Sequence, residues 1–256
     1  MAASEFLLIL GTDCLLYRGP PVDGAAHRHH AIQLAVGLGE PLRLRAPAQA
    51  ERIAGAALID ADAPHQLLGG APQLALLYLE PESRWAGALR SGRALAAQPL
   101  QVHPVSESLR ARLRGFQPEQ DFPALCADWL TELGLPKETM AVAPLDARVE
   151  RVIAHLRQHL DQRHSAAALG RQVALSPHRL MHLFRAATGL PLRRYTLWLR
   201  LRAAVAAALR GATLTEAAHR AGFSDSAHFS RSFRAHFGLP PRFLFEHRDR
   251  LVVRFR

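Results

Sequence analysis

The 256-residue sequence has almost no lysine, little cysteine and no long apolar run. Lys137 is the one lysine among 32 Lys and Arg residues, so nearly all positive charge is guanidinium. Two cysteines, Cys14 and Cys126, cannot build a disulfide framework or a thiolate metal cluster. They are expected to be buried small hydrophobes in a reducing, cytoplasmic setting. No apolar stretch approaches the roughly 18 residues that a membrane-spanning helix needs, so no membrane association is expected. The first apolar stretch, Phe6–Leu10, follows Glu5 rather than a basic lead, so no secretory signal is expected. A phosphate-cradling glycine loop, a nucleophile elbow and a paired-carboxylate motif are all missing. Nothing near the N-terminus alternates strand and helix as a phosphoacceptor receiver domain would. The chain is not expected to be an enzyme.

What is present is apolar enough to fold. Hydrophobic residues make up 49%, which excludes general disorder. The charge is unevenly spread. Residues 1–145 hold 12 basic and 15 acidic residues, a net −3. Residues 146–256 hold 20 basic and 7 acidic, a net +13. A basic half joined to a slightly acidic one suggests a polyanion-binding domain attached to something else.

The hydrophobic period divides the chain in the same way. Up to about residue 100, short apolar runs alternate with Gly and Pro: Phe6–Leu10, Cys14–Tyr17, Ala31–Leu38, Ala56–Ile59 and Leu74–Leu79. Such runs read as strands of a sandwich or barrel. Helical spacing begins at Ser106–Phe116 and continues in Phe122–Leu133, where Phe122, Leu125, Cys126, Trp129, Leu130 and Leu133 make one stripe. Residues 134–145, with Pro136 and Pro144, read as a linker. Everything from Asp146 reads helical. Expected starts are Ser165, Ser176-Pro177, Pro191, Thr215 and Ser224 or Asp225; expected stops are Gly189, Gly211, Gly222 and Gly238.

One unit occurs twice in this basic half. Ala166–Phe184 and Leu214–Phe233 each read as a short helix, a tight turn and a longer helix. That is a helix-turn-helix, whose second helix can enter a major groove. In the first copy Leu180, Leu183 and Phe184 should face the core, leaving His178, Met181, His182 and Arg185 outward. In the second, Phe229, Phe233 and Phe237 should face in, leaving Ser226, Ala227, His228, Ser230, Arg231 and Arg234 outward. Ser, His and Arg are side chains that bond base edges and phosphates.

At this point residues 146–256 resemble the DNA-binding domain of the AraC/XylS family of bacterial transcription regulators. The resemblance is carried by Leu183-Phe184, Thr188-Gly189, Tyr195, Arg200-Leu201, Ala204, Ala217-Ala218 and Ala221-Gly222-Phe223-Ser224-Asp225. It continues through His228-Phe229-Ser230-Arg231, Phe233-Arg234, Phe237-Gly238 and Pro240. It implies two helix-turn-helix units joined by a long helix and reading two successive major grooves of double-stranded DNA. By that resemblance His178, Met181 and His182 read bases from the first helix, and Ser226, Ala227, His228, Ser230 and Arg231 from the second. Met181 and Ala227 donate no hydrogen bond, so apolar contact with a thymine methyl is expected there. Phe243 stands where the family usually has tyrosine.

The N-terminal part resembles the family's cupin-like sensing domain. His27-Arg28-His29-His30-Ala31-Ile32-Gln33 resembles a degenerate first cupin motif, and Asp62-Ala63-Pro64-His65-Gln66 the turn of the second. The implied fold class is α+β. It comprises a cupin-like β-barrel over 1–104, a helical hairpin and linker over 105–145 that is a candidate dimer contact, and an all-α domain over 146–256. The implied function is a one-component transcription regulator controlled by a small molecule, with RNA polymerase as a further partner if it activates. If His27 points to one side of a strand, His29 and Gln33 share that side and Ile32 and Leu34 take the other. Buried polar groups need partners, so a ligand pocket lined by His29, Gln33 and His65 is expected, taking a small polar or anionic effector. The rival reading is a metal-dependent enzyme or metal sensor. In it His27, His29 and His65 hold a divalent metal, with Gln33 in place of the usual carboxylate. Sensing without a cofactor is the leading expectation.

Overall fold

The computed structural model describes residues 6–11, 13–21, 25–91, 98–135, 145–246 and 251–255. The expected linker therefore lies largely outside the described residues, as does Lys137. Two compact units are present. One draws on stretches within 1–142, 234–239 and 246–256; the other on 143–233 and 240–245. Among the described residues no helix is long and apolar enough to cross a membrane.

The first unit is built on β1 (Phe6–Leu10), β2 (Cys14–Gly19), β3 (Ile32–Gly37), β4 (Leu42–Arg45), β5 (Arg52–Ala54), β6 (Ala56–Ile59), β7 (Gln66–Leu67) and β8 (Leu74–Leu79). Helix α1 (Arg84–Ser91), strand β9 (Leu100–His103) and helices α2 (Glu107–Gly115) and α3 (Phe122–Glu132) follow, and β10 (Leu251–Phe255) joins from the far end of the chain. Seven strands form one sheet in the order β10-β1-β2-β8-β3-β6-β9, and β5-β4-β7 form a second. Strands β1, β3 and β8 are buried along their whole length. That is why their sequences are continuous apolar runs rather than alternating ones. In β4 the alternation is complete: Leu42 and Leu44 are buried, Arg43 and Arg45 exposed. This is the mark of a strand with one solvated face.

Helices α2 and α3 close one face of the large sheet. Ser106 Oγ accepts from Leu109 N at 3.2 Å and Asp121 Oδ1 from Ala124 N at 3.1 Å, which fixes the two helix starts. Leu109, Leu113, Phe116, Phe122, Leu125, Cys126, Trp129 and Leu130 join Ile32, Leu34 and Val36 in one apolar core. Two placements were open to the stripe of Trp129, Leu130 and Leu133, a second copy or the chain's own sheet, and the structure takes the second. Trp129 is 1% exposed and Leu130 fully buried, with Leu133 packed against them. The stripe is spent on its own sheet, which is the better burial because it needs no association. Cys14 and Cys126 are buried here as free thiols; their mutual hydrogen bond and burial push the Cys126 thiol up.

Two elements depart from the pattern reading. Helix α1 interrupts the expected strand region; its start is set by Ser83 Oγ, which accepts from Ala86 N at 3.1 Å. Strand β10 departs from the all-helical reading of 146–256, pairing in parallel with β1 from Phe6↔Leu251 to Leu10↔Phe255. Five residues, four of them apolar, are too few to show a period that separates strand from helix, and pairing with β1 decides it.

The second unit is helical: α4 (Ala147–Gln158), α5 (Ala166–Gln172), α6 (Pro177–Thr188), α7 (Leu192–Leu209), α8 (Leu214–Arg220), most of α9 (Ser226–Phe237), whose residues from Arg234 count with the first unit, and α10 (Arg242–Glu246) up to residue 245. The caps follow the sequence at Ser165 and Ser176, whereas α8 starts at Leu214 with Thr213 as its N-cap rather than at the expected Thr215. Ser165 and Ser176 accept from Ala168 N and Arg179 N. Thr213 and Glu216 form a reciprocal capping box, and Gly189 ends α6 in the left-handed region. Val149, Val152, Ile153 and Leu156 of α4 pack with Leu169, Leu180, Phe184, Tyr195 and Leu199 in one core.

Candidate DNA-reading face and polar centre

The duplicated turns are built alike. After α5, Leu175 N donates to Gly170 O at 2.9 Å; after α8, Phe223 N donates to Ala218 O at 3.0 Å. Each turn needs one residue with positive φ, filled by Ala174 (54°) and Gly222 (78°). The residue that follows each, Leu175 or Phe223, turns inward, and Phe223 packs on Phe229 with ring centroids 5.2 Å apart. Small residues at 170 and 218 are required by close approach. A Cβ at Gly170 would stand 2.5 Å from the Leu175 carbonyl oxygen.

This geometry sets the second helix of each unit. In α6, Leu180 and Phe184 are buried and His178, Met181, His182 and Arg185 exposed. In α9, Phe229 and Phe233 are buried, Ala227, Arg231 and Arg234 exposed, and Ser226, His228 and Ser230 half-buried. Met181 is 47% exposed, which leaves its side chain open to apolar contact with a partner. His228 is positioned further: Ser224 Oγ meets its Nδ1 at 3.2 Å and Asp225 Oδ1 accepts from its backbone N at 2.6 Å.

Pattern reading of the two helices passed over a basic cleft of about 1030 Å³ in the same unit. Arg163, Arg185, Arg193 and Arg194 line it together with Met181 and His228. Arg200 also borders it, but its guanidinium is committed to the Leu160 and Gln162 carbonyls at 2.8 and 2.9 Å. Those two bonds tie α7 to the α4–α5 loop. The available signal was the Arg193-Arg194 pair opening α7.

In the sheet unit, His27 and His65 form an isolated antiparallel bridge with reciprocal backbone bonds of 2.9 Å. It brings together two motifs 38 positions apart in the sequence. His29 Nε2 lies 2.5 Å and His65 Nε2 3.1 Å from Gln33 Oε1. One ring nitrogen each of His27, His29 and His65 falls within 4.8 Å of the others. Ile32 and Leu34 belong to the apolar core beneath the helices, so Gln33 is on the opposite face of β3, as the alternation requires. Burial lowers the basicity of all three rings. His65 is pushed down to about 3 by desolvation, and His29 well below its usual value by desolvation and by the neighbouring imidazoles. His27 is lowered by the same desolvation. The edge of Tyr78 closes on His29 at 5.1 Å between ring centroids. The cavity beside this centre is small, about 270 Å³, and is bordered by His65, Gln66, Arg45 and Gln49. Of the three residues expected to line a ligand pocket, His65 borders this cavity, while His29 and Gln33 are fully buried and do not.

A family model described as a helix-turn-helix domain matches residues 169–247. The HTH-type transcriptional activator RhaS of Salmonella schwarzengrund (strain CVM19633) is 34% identical over 108 residues, 42% of this chain and 39% of the relative. Both matches fall on the helical unit, which is a helix-turn-helix domain similar to that of a transcriptional activator. The chain thus spans well under half the length of the relatives it matches in sequence. Across almost its whole length it shares a fold with ToxT of Vibrio cholerae. An apo point variant of ToxT from strain SCE256 superposes with a TM-score of 0.61 at 11% identity, covering 92% of this chain and 98% of ToxT. Wild-type ToxT with a bound unsaturated fatty acid gives 0.61 at 13% identity, with 96% and 97% covered. At such identity the likeness establishes a ToxT-like two-domain α+β fold and leaves the ligand chemistry to the residues themselves.

Proposed function

We propose that the chain is a transcription regulator that reads two successive major grooves through α6 and α9, and that its sheet unit is the input. The carrying observation is the pair of like-built turns. Each presents an exposed polar helix face, His178–Arg185 and Ala227–Arg231, on the unit that holds the chain's excess of positive charge. His182, His228, Ser230 and Arg231 serve as base readers, and Arg185 and Arg234 as phosphate contacts. The AraC-type fold shared with fatty-acid-bound ToxT supports the sheet unit as a ligand-controlled input centred on His29, Gln33 and His65. The reading includes no catalysis. It includes contact with RNA polymerase, in keeping with RhaS being an activator, and a homodimer formed away from the buried face of α3.

The test is selection of bound sites from random duplex DNA by the full chain, followed by titration of Arg231→Ala. Loss of a base contact should reduce discrimination by about 1–3 kcal/mol. Failure to enrich any sequence, or discrimination unchanged in Arg231→Ala, overturns the assignment of the reading face.

A further inference from the structure

Tautomers decide what the polar centre lacks. His27 Nδ1 lies 3.0 Å from Ala25 O, His29 Nδ1 2.7 Å from Ala31 O and His65 Nδ1 2.9 Å from Ala63 O. A carbonyl oxygen only accepts, so each Nδ1 carries the ring's proton and each Nε2 is left with a bare lone pair. Three backbone carbonyls, each two residues from its histidine, have fixed the same tautomer three times. This is the arrangement by which proteins orient imidazoles toward a metal, with the far nitrogen held by a carbonyl.

Two of these lone pairs converge on one side chain. Two Nε2 atoms face Gln33 Oε1, itself an acceptor, while Gln33 Nε2 is buried without a hydrogen-bond partner. With the amide turned over, its nitrogen donates one N–H to each of these two lone pairs and its carbonyl oxygen is the group left without a donor. In either orientation Gln33 leaves one end of its buried amide without a partner, beside three histidines whose ring nitrogens lie within 4.8 Å of one another. Protonating a ring is opposed by burial, which lowers all three. A cluster of acceptors at the heart of a fold is costly unless an electrophile sits among them.

We infer that this centre is a metal site: a divalent transition-metal ion held by Nε2 of His27, His29 and His65, with Gln33 Oε1 as the fourth donor. The inference rests on the reading of the sheet unit as the input and names its ligand class. Three neutral imidazoles and an amide oxygen suit zinc, cobalt or nickel rather than magnesium or calcium, which demand harder oxygen donors. A tetrahedral ion at roughly 2.0–2.1 Å from each nitrogen places the nitrogens about 3.4 Å apart. From their present spread of up to 4.8 Å the rings close inward on binding. No donor carries charge, so the ion keeps its full +2. Gln33→Glu should therefore strengthen binding.

The experiment uses the full chain, stripped with chelator and dialysed, with Co(II) and Zn(II) as probes. One Co(II) per chain should bind, with the intense visible absorption of a tetrahedral ion that Zn(II) abolishes. X-ray absorption on the zinc form should show three imidazoles. His65→Gln should weaken binding by more than the ~10–100-fold that losing an outer partner costs, and Gln33→Glu should tighten it about tenfold. Wild-type absorption spectra do not depend on any variant folding. Other histidines, such as the His155–His159–His164 group with its stacked rings, are the control. Metal retained unchanged in His65→Gln, octahedral spectra, or no stoichiometric ion after dialysis each overturn the inference. If metals fail but a metabolite raises the melting temperature of the wild type and not of His65→Gln, the input reading stands and the metal falls. If neither binds, both fall.

Discussion

Replacing Gly222 by alanine should loosen the second helix-turn-helix while sparing the sheet unit. Gly222 has φ +78°, a region in which an L side chain costs about 1–2 kcal/mol. Its Cβ would stand 2.1 Å from Leu160 O, 2.8 Å from Leu160 C and 2.9 Å from the Asp161 Cα. These are backbone atoms, and Leu160 O is also an anchor for Arg200, so no side-chain rotation relieves the clash. Overpacking of this kind adds about 1–3 kcal/mol. The lost flexibility of the unfolded chain returns only ~0.4–1 kcal/mol. The net is a destabilisation of about 3 kcal/mol. Amide exchange by mass spectrometry gives a local readout in a chain of two units. At ~1.4 kcal/mol per tenfold, peptides from α8, α9 and the Leu160 loop should exchange ~100-fold faster, with the sheet unit unchanged. The companion change Ala174→Gly removes a left-handed alanine at φ 54° but adds backbone entropy, and should stay within about 1 kcal/mol of wild type. Exchange in Gly222→Ala within about threefold of wild type would refute the account of why this turn holds glycine.

The other expectations are more direct. Trp129→Ala should destabilise the sheet unit by about 3–5 kcal/mol with no change in molecular mass by light scattering. A changed mass at unchanged stability would return α3 to the subunit interface. Thr213→Ala removes one half of a capping box and should cost about 1 kcal/mol in the α8 segment, largely recovered by serine. Arg193→Ala, in the basic cleft, should weaken all DNA sequences alike and lower the log–log salt slope by about 0.9 for one lost phosphate contact. A sequence-dependent loss would instead make Arg193 a base reader.

Much of this protein is decided locally. Helix starts at Ser106, Asp146, Ser165 and Ser176 and the stop at Gly189 follow from side chains that satisfy orphan backbone groups within three residues. The two reading faces follow as surely, because burying Leu180 and Phe184, or Phe229 and Phe233, forces the opposite stripe outward. Only tertiary structure decided the rest. The α3 stripe satisfies a partner subunit and the underside of a sheet equally well as a pattern, and the core beneath Ile32 and Leu34 settles which. Residues 251–255 have no periodicity of their own, and pairing with β1 makes them a strand. The sequence placed His27, His29, Gln33 and His65 as candidates. It could not show that backbone carbonyls at Ala25, Ala31 and Ala63 fix three tautomers and that His29 and His65 meet on one Gln33 amide. A tautomer is set by whichever acceptor the fold puts beside the ring, and that acceptor is backbone, which no side-chain pattern encodes.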